Sequence, residues 1–290
     1  MAAALLAGPL APVVGAGAAS ASPSASASPS ASAAPAVVDA ELQHLTGGTV
    51  KVIVQSAEGA GNAADRAIAR AGGTVTRPLP LINGVAATVP ARSIATLAAT
   101  AGVKAISVDR QMQVQGGGGS SSANSVYPTV VRADAAWQAG ATGSGVTVAL
   151  IDTGIANVGD LAGRVLPVTD DITGASSACE NLSGEAGCND SYGHGTFIAG
   201  IIAGSGAASN GADKGVAPAS KLVSIKIAGR DGSSDVSNVI AAVQWALSFK
   251  DRYGIKVINL SLGTDGTQSY RTDPLNFAVE KAWASGLVVV

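Results

Sequence analysis

The chain has 290 residues, which is enough for one or two domains with a buried core. Its formal net charge is -2 and only 13% of its residues are charged, so it lacks the basic field that holds phosphate backbones or anionic lipid. Composition therefore argues against nucleic acid and membrane surfaces as partners and leaves an enzyme open.

The first segment, residues 1–21, is apolar and ends in small residues that suit signal-peptide cleavage, so we expect an exported protein. No Lys or Arg precedes Lys51, and Pro9 and Pro12 interrupt the apolar segment, which suggests that the true start of the gene lies upstream. A disordered Ala-rich tail is the alternative, whereas a membrane-spanning helix needs about 20 apolar residues and is disfavoured. Residues 22–48 begin with repeats of Ala, Ser and Pro and predict a disordered spacer.

A small α+β domain is predicted over residues 49–115. Valines alternate at its start as in a strand, and apolar residues then recur at helical spacing until Gly72-Gly73. The predicted elements are strands at 50–54, from 74, at 84–89 and at 103–108, and helices at 63–71 and 93–101. Their order, β-α-β-β-α-β, is that of a ferredoxin-like domain. Glycines and serines over residues 116–125 predict a flexible linker.

A larger domain is predicted over residues 126–290, where continuous apolar strands alternate with helices. The predicted elements are strand 146–151, helix 195–203, strand 222–227, helix 235–250, strand 257–262, helix 274–284 and strand 287–290. This alternation is typical of an α/β fold, a parallel sheet with helices on both faces. The last strand reaches the end of the chain, so we expect the domain to be truncated there.

Cys179 and Cys188 are the only cysteines, and they lie in a polar stretch that contains Gly184 and Gly187. A local disulfide fits an exported protein, although two free thiols remain an alternative. Two sulfurs without nearby histidines make a zinc site improbable.

Two ionisable residues lie where strands and helices meet. Asp152 ends the first strand of the larger domain, and His194 lies between glycines directly before a helix of small residues. Sites in open parallel sheets lie at the carboxyl ends of strands. A carboxylate that accepts one imidazole N–H leaves the other nitrogen to take a proton from a hydroxyl nucleophile. Taken singly, Asp152 is commonly explained as a cap or turn former, and a lone histidine such as His194 is more often structural than catalytic.

Together, Asp152-Thr153-Gly154-Ile155 and His194-Gly195-Thr196 resemble the first two catalytic motifs of the subtilisin-like serine proteases, the subtilases, in that family's order of Asp, His and Ser. Further matches to the family's pattern lie at residues 215–218, 231–233, 257–263 and 284–290. The resemblance implies that Asp152 orients the imidazole and that His194 is the general base. It also implies that the nucleophilic Ser and an oxyanion-hole Asn lie beyond residue 290, so this fragment by itself is predicted to be inactive.

The resemblance further implies protein or peptide substrates, held as an added strand between two segments, with broad specificity because backbone pairing does not select side chains. The substrate-binding residues would be Gly232, Ser233 and Ser234 on one side, and Ser261, Leu262 and Gly263 on the other. Ser234 stands where the family frequently has Gly, which predicts a narrower groove. Phe197 stands where the family often has His, which removes a polar group near the base.

The small domain resembles, in pattern and position, the propeptides that precede subtilases, which assist folding and occupy the active site until they are cut away. No cofactor is required for the chemistry, but Asp160 matches an Asp that binds calcium in some members, so a structural calcium ion is an expectation. We expect a secreted monomer.

Other classes fit less well. An aspartic protease needs two carboxylates that share a proton in a mostly β architecture, whereas Asp-Thr-Gly occurs once here. A dinucleotide-binding enzyme needs its glycine motif after the first strand, but Gly143-Ser144-Gly145 precedes it. The remaining alternative is a catalytically inactive subtilase fold that acts as a binding or inhibitory module.

Overall fold

The computed structural model describes residues 35–114, 126–170, 173–264, 266 and 268–290. The predicted signal segment and the predicted linker lie outside the described residues. A small domain, residues 35–114, precedes a large domain, residues 126–290. Within the described residues no helix is both long and apolar enough to cross a membrane.

The small domain consists of a five-stranded sheet with two helices on one face, followed by a sixth strand that lies outside this sheet. Its elements are strands β1 Val37–Val38, β2 Thr49–Ser56, β3 Thr74–Leu79, β4 Gly84–Pro90, β5 Val103–Val108 and β6 Gln111–Val114, and helices α1 Ala63–Arg70 and α2 Ile94–Ala98. The sheet order is β1-β5-β2-β4-β3, and β2 is antiparallel to both of its neighbours. The predicted β-α-β-β-α-β arrangement is confirmed in β2-α1-β3-β4-α2-β5.

The small domain begins earlier than the sequence pattern indicated. Residues 35–48 were assigned to a disordered spacer, but β1 pairs in parallel with β5 and a 3-10 helix follows at Ala40–His44. Asp39 caps this helix, and Leu42 is fully buried in the domain core. The predicted spacer was too long because the Ala, Ser and Pro repeats end before the apolar residues Val37, Val38 and Leu42.

The large domain is built on a sheet of five parallel strands, in the order β10-β11-β7-β13-β15. Its elements are α3 Tyr127–Val130, α4 Ala133–Gln138, β7 Thr147–Asp152, β8 Val168–Thr169, β9 Ser176–Ser177, β10 Glu180–Asn181, α5 His194–Ala203, β11 Lys221–Lys226, β12 Ser233–Asp235, α6 Val236–Ser248, α7 Lys250–Tyr253, β13 Ile255–Leu260, β14 Leu262–Gly263, α8 Pro274–Ala284 and β15 Val288–Val289.

Helices cover both faces of this sheet, as the alternation predicted. Val148 and Leu150 of β7 pack with α5 in one apolar cluster. Ala149 and Ile151, which point to the opposite face of the strand, pack with α6 and α8 in another. The site residues at the carboxyl end of β7 are therefore fixed by packing on both faces.

The small domain shares an apolar core with the large domain. Ile53, Leu79, Ile82 and Ala86, all buried, belong to the cluster that also contains residues of α6 and α8. The opposite face of the small sheet carries its own core with α1 and α2. Helices α6 and α8 are thus packed between two sheets.

Two polar contacts fix the small domain against the first turn of α6. The Asp109 carboxylate accepts the Ser237 backbone N–H at 2.9 Å and the Ser237 hydroxyl at 2.7 Å. Lys51 forms an ion pair with Asp235 at 2.6 Å. Because the side chain of Asp235, the residue before the helix, makes no capping hydrogen bond of its own, the small domain supplies the cap.

Candidate active site

Asp152 and His194 meet at the carboxyl end of the parallel sheet. The Nδ1 of His194 lies 2.8 Å from Oδ1 and 2.9 Å from Oδ2 of Asp152. A carboxylate can only accept, so Nδ1 carries the proton and Nε2 is the basic nitrogen. The side chains are 1% and 5% exposed for Asp152 and His194, so the pair is shielded from water.

The local backbone explains how these two residues approach each other. Asp152 is the last residue of β7, and His194 is the first of α5. Gly193, which precedes the helix, has φ of 103°, a conformation that favours glycine. A Cβ on Gly195 would overlap the carbonyl oxygen of Gly154. Only glycine therefore allows this close contact between the start of α5 and the loop that follows β7.

Asp190 joins the loop that follows β7 to the loop that precedes α5. The sequence patterns had not identified it as a site residue. Its Oδ1 accepts the Thr153 hydroxyl at 2.8 Å and the backbone N–H groups of Tyr192 and Gly193 at 3.1 and 2.7 Å. Its Oδ2 accepts the backbone N–H and the hydroxyl of Thr196 at 2.8 and 2.6 Å. An Asp shortly before a helix with Thr in its first turn is a capping signal that could have identified this residue.

The two carboxylates differ electrostatically. Burial raises the pKa of Asp152 above its usual value, although hydrogen bonds from His194 and Thr153 act against that rise. Burial also acts to raise the pKa of Asp190, but the hydrogen bonds from Thr196, Gly193 and Thr153 outweigh it and hold the pKa below its usual range. Asp190 is therefore a fixed anion that organises the backbone around the Asp152–His194 pair.

The two predicted substrate-binding segments face each other across a strand. β6 of the small domain lies between β12 and β14 and is antiparallel to both. Ser233 and Ser234 pair with Gln113 and Met112, and Leu262 and Gly263 pair with Val114 and Gln113. The small domain thus fills the groove that the sequence assigned to a peptide.

The end of β6 lies beside the loop that carries His194. The Val114 N–H donates to the Gly232 carbonyl at 3.1 Å. A Cβ on Gly232 would lie 2.9 Å from both the Tyr192 ring and Val114 Cγ2, so these side chains meet over this glycine. β6 therefore ends beside Tyr192, in the loop that leads to His194.

Two serines of the predicted groove form side-chain hydrogen bonds within the large domain. The Ser234 hydroxyl is buried and donates to the Ile227 carbonyl at 2.7 Å. A narrower groove at Ser234 stays a prediction. Ser261 lies between β13 and β14, and its hydroxyl accepts a hydrogen bond from the Asn259 amide at 2.8 Å.

Cys179 and Cys188 are joined in a disulfide. Within the described residues, no group of three or more His, Cys, Asp or Glu side chains is placed to hold a metal ion. The Asp160 carboxylate accepts the backbone N–H of Ala208 at 2.8 Å and so holds the neighbouring loop. Calcium at Asp160 stays a prediction.

The His194 imidazole is thus held by a buried carboxylate at the carboxyl end of the parallel sheet. Residues 143–290, half of the chain, match the family model described as "Subtilase family". The chain therefore belongs to the subtilase family. Residues 23–109 match a model described as "Putative peptidase inhibitor domain", which coincides with the small domain.

Relatives and a solved structure agree with this assignment. The chain is 36% identical over 153 residues to the serine protease AprX of Bacillus subtilis, covering 51% of this chain and 32% of that protein. It is 38% identical over 161 residues to subtilisin Savinase of Lederbergia lenta, covering 55% of this chain and 51% of that protein. The crystal structure of fervidolysin from Fervidobacterium pennivorans superposes with a TM-score of 0.62 at 21% identity, covering 88% of this chain and 41% of that chain, and shows the shared fold.

The chain spans between about a third and a half of the length of these two proteases. The activity of the whole protein is therefore a matter for proposal.

Proposed function

We propose that this chain is part of a secreted serine endopeptidase that hydrolyses peptide bonds through an Asp-His-Ser triad. Asp152 orients the imidazole, His194 takes the proton from the nucleophile and later gives it to the leaving amine, and the serine lies beyond residue 290. Substrates are proteins or peptides, no cofactor enters the chemistry, and the enzyme works as a monomer.

The observation that carries this proposal is the placement of β6. It is an extended strand between β12 and β14, and it ends beside the loop of the buried Asp152–His194 pair. A peptide substrate that adds a strand at this position gains affinity from its backbone and presents a carbonyl group to the base. The small domain acts as an inhibitor in this arrangement and, because it shares a core with α6 and α8, as a folding aid.

The test compares the 290-residue chain with a product of the same gene extended through the nucleophile motif. The longer product is expected to hydrolyse a peptide once the small domain is removed, and to react with a fluorophosphonate serine label. His194→Ala should lower turnover on the order of 10⁶-fold, whereas Glu280→Gln, at an exposed position of the large domain, is the control.

Two outcomes contradict the proposal. Labelling of the 290-residue chain at a serine, lost on His194→Ala, would show that the nucleophile lies within these residues. A longer product that folds, binds peptide and hydrolyses none would favour the inactive binding module instead.

A further inference from the structure

The disulfide loop between β10 and α5 carries a carboxylate that three other segments contact. Glu185 Oε2 accepts the Ser191 hydroxyl at 2.6 Å and pairs with Lys226 Nζ at 3.1 Å. Its Oε1 accepts the backbone N–H of Arg230 at 2.8 Å. These partners come from the loop before His194, from the end of β11 and from the turn before β12.

Each partner belongs to the site already described. Ser191 lies in the loop that leads to His194. Lys226 is 1% exposed and pairs in register with Asp152 on the neighbouring strand. Arg230 lies in a turn closed by the Gly232 N–H to the Gly229 carbonyl at 3.0 Å, which leads directly into the groove strand β12.

Local contacts of the disulfide loop hold Glu185 in this position. A Cβ on Gly229 would lie 2.7 Å from Glu185 Oε1, so a larger residue there would displace the carboxylate from its present position. The Cys179–Cys188 disulfide closes the loop, and the Asn181 amide donates to the carbonyls of Glu185 and Gly187, each at 2.8 Å.

The same loop is attached to the main sheet on its other side. β10 pairs with β11, and the Leu182 N–H donates to the Lys226 carbonyl at 2.7 Å. The Lys226 ammonium also donates to the Asn189 carbonyl at 2.7 Å. The disulfide loop is therefore a rigid arm rather than a loose insertion.

We propose that Glu185 is a positioning residue that ties the loop carrying His194 to the turn carrying the groove strand β12, so that base and substrate keep one relative position. The inference rests on the proposed peptidase function for its effect on catalysis. The contacts of Glu185 with Ser191, Lys226 and Arg230 lie within this chain, so the link between the two segments can be tested without measuring hydrolysis. It predicts that a change at Ser191 is transmitted to Arg230 through Glu185.

The chemistry of the substitution is specific. In Glu185→Gln the side chain keeps its length but loses its charge, and one end of the amide becomes a donor. That donor must face either the Lys226 ammonium and the Ser191 hydroxyl or the Arg230 N–H, so the three contacts are not all kept. Glu280, exposed on α8, gives the matched control Glu280→Gln.

The first experiment measures amide exchange in the 290-residue chain. Glu185→Gln is expected to speed exchange by about tenfold or more at Arg230 and in the loop around Ser191, because hydrogen bonds to a charged acceptor are lost. Ser191→Ala is expected to speed exchange at Arg230 as well. Exchange at Arg230 that stays unchanged in both variants, or that changes equally in Glu280→Gln, overturns the proposal.

The second experiment uses the full-length gene product. Glu185→Gln should lower kcat/KM on the order of tenfold to a hundredfold, with a higher KM for peptides long enough to pair with β12 and a lower kcat for all. A variant that only melts earlier, with kcat and KM unchanged, contradicts the proposal. If the unsubstituted enzyme hydrolyses nothing, the proposed function fails, while the exchange result still decides whether Glu185 is the tie.

Discussion

Asp109 makes a quantitative prediction about how the small domain is held. Asp109 is 8% exposed, and its carboxylate caps α6 through two hydrogen bonds from Ser237. Loss of a capping side chain costs about 1 kcal/mol, and hydrogen bonds to a charged group contribute about 1.5 to 3 kcal/mol. Relief of the buried charge offsets part of this, so we expect Asp109→Ala to lower the free energy of unfolding by about 2 kcal/mol.

Asp109→Asn separates the hydrogen bond from the charge. The amide oxygen still accepts the Ser237 N–H, and the buried carboxylate is gone. We expect this variant to lie within about 0.5 kcal/mol of the unsubstituted chain at neutral pH. Thermal unfolding of both variants measures the difference, and Asp109→Ala should melt about 4 to 8 °C lower, at ~2 to 4 °C for each kcal/mol in a chain of this size.

The pH dependence has a defined sign. Burial raises the pKa of Asp109 and nearby Asp235 raises it further, against the hydrogen bonds from Ser237 and the charge of Lys51. Because its pKa is raised in the folded chain, protonated Asp109 contributes to the free energy of unfolding. This contribution is fully present below the usual carboxyl pKa and is lost as the pH rises through the raised value. Asp109→Asn removes this loss, so the variant should gain stability relative to the unsubstituted chain as the pH rises from about 4 towards neutral.

The reasoning is refuted if the Ala and Asn variants unfold alike, because the cap then contributes nothing measurable. It is also refuted if the stability difference between the Asn variant and the unsubstituted chain does not change with pH.

Two more predictions concern the large domain. Gly195→Ala should lower the free energy of unfolding by about 1 to 3 kcal/mol in urea, because its Cβ would overlap the Gly154 carbonyl, whereas Gly200→Ala, whose Cβ would meet nothing within 4 Å, should not destabilise. Equal effects of the two substitutions would contradict the close contact. Replacing Cys179 and Cys188 by Ser should cost at most about 3 kcal/mol on the chain-entropy model, and a reducing agent should then have no further effect on the melting temperature.

The sequence predicted the parts of the fold that depend on short-range patterns. The buried strand β7 and the glycines around His194 place the Asp152–His194 pair correctly, because apolar runs and glycine positions are local signals. The order of elements in the small domain followed from the same periodicities.

Long-range partners left no such signal. β12 and β14 are two or three residues long and β12 is polar, so their strand character exists only because β6 arrives from far along the chain to pair with them. Of the hydrogen bonds to Asp190, the one from the Thr153 hydroxyl joins residues 37 positions apart and left no local signal, whereas the others come from nearby residues and follow the capping pattern.

The placement of β6 has one more consequence. Adjacent strands lie about 4.8 Å apart, so removing β6 leaves β12 and β14 about 10 Å apart, each with unpaired N–H and C=O groups towards the gap. Two such open edges invite pairing with any extended chain, including another copy of the same molecule. While β6 is in place, both of those edges are covered.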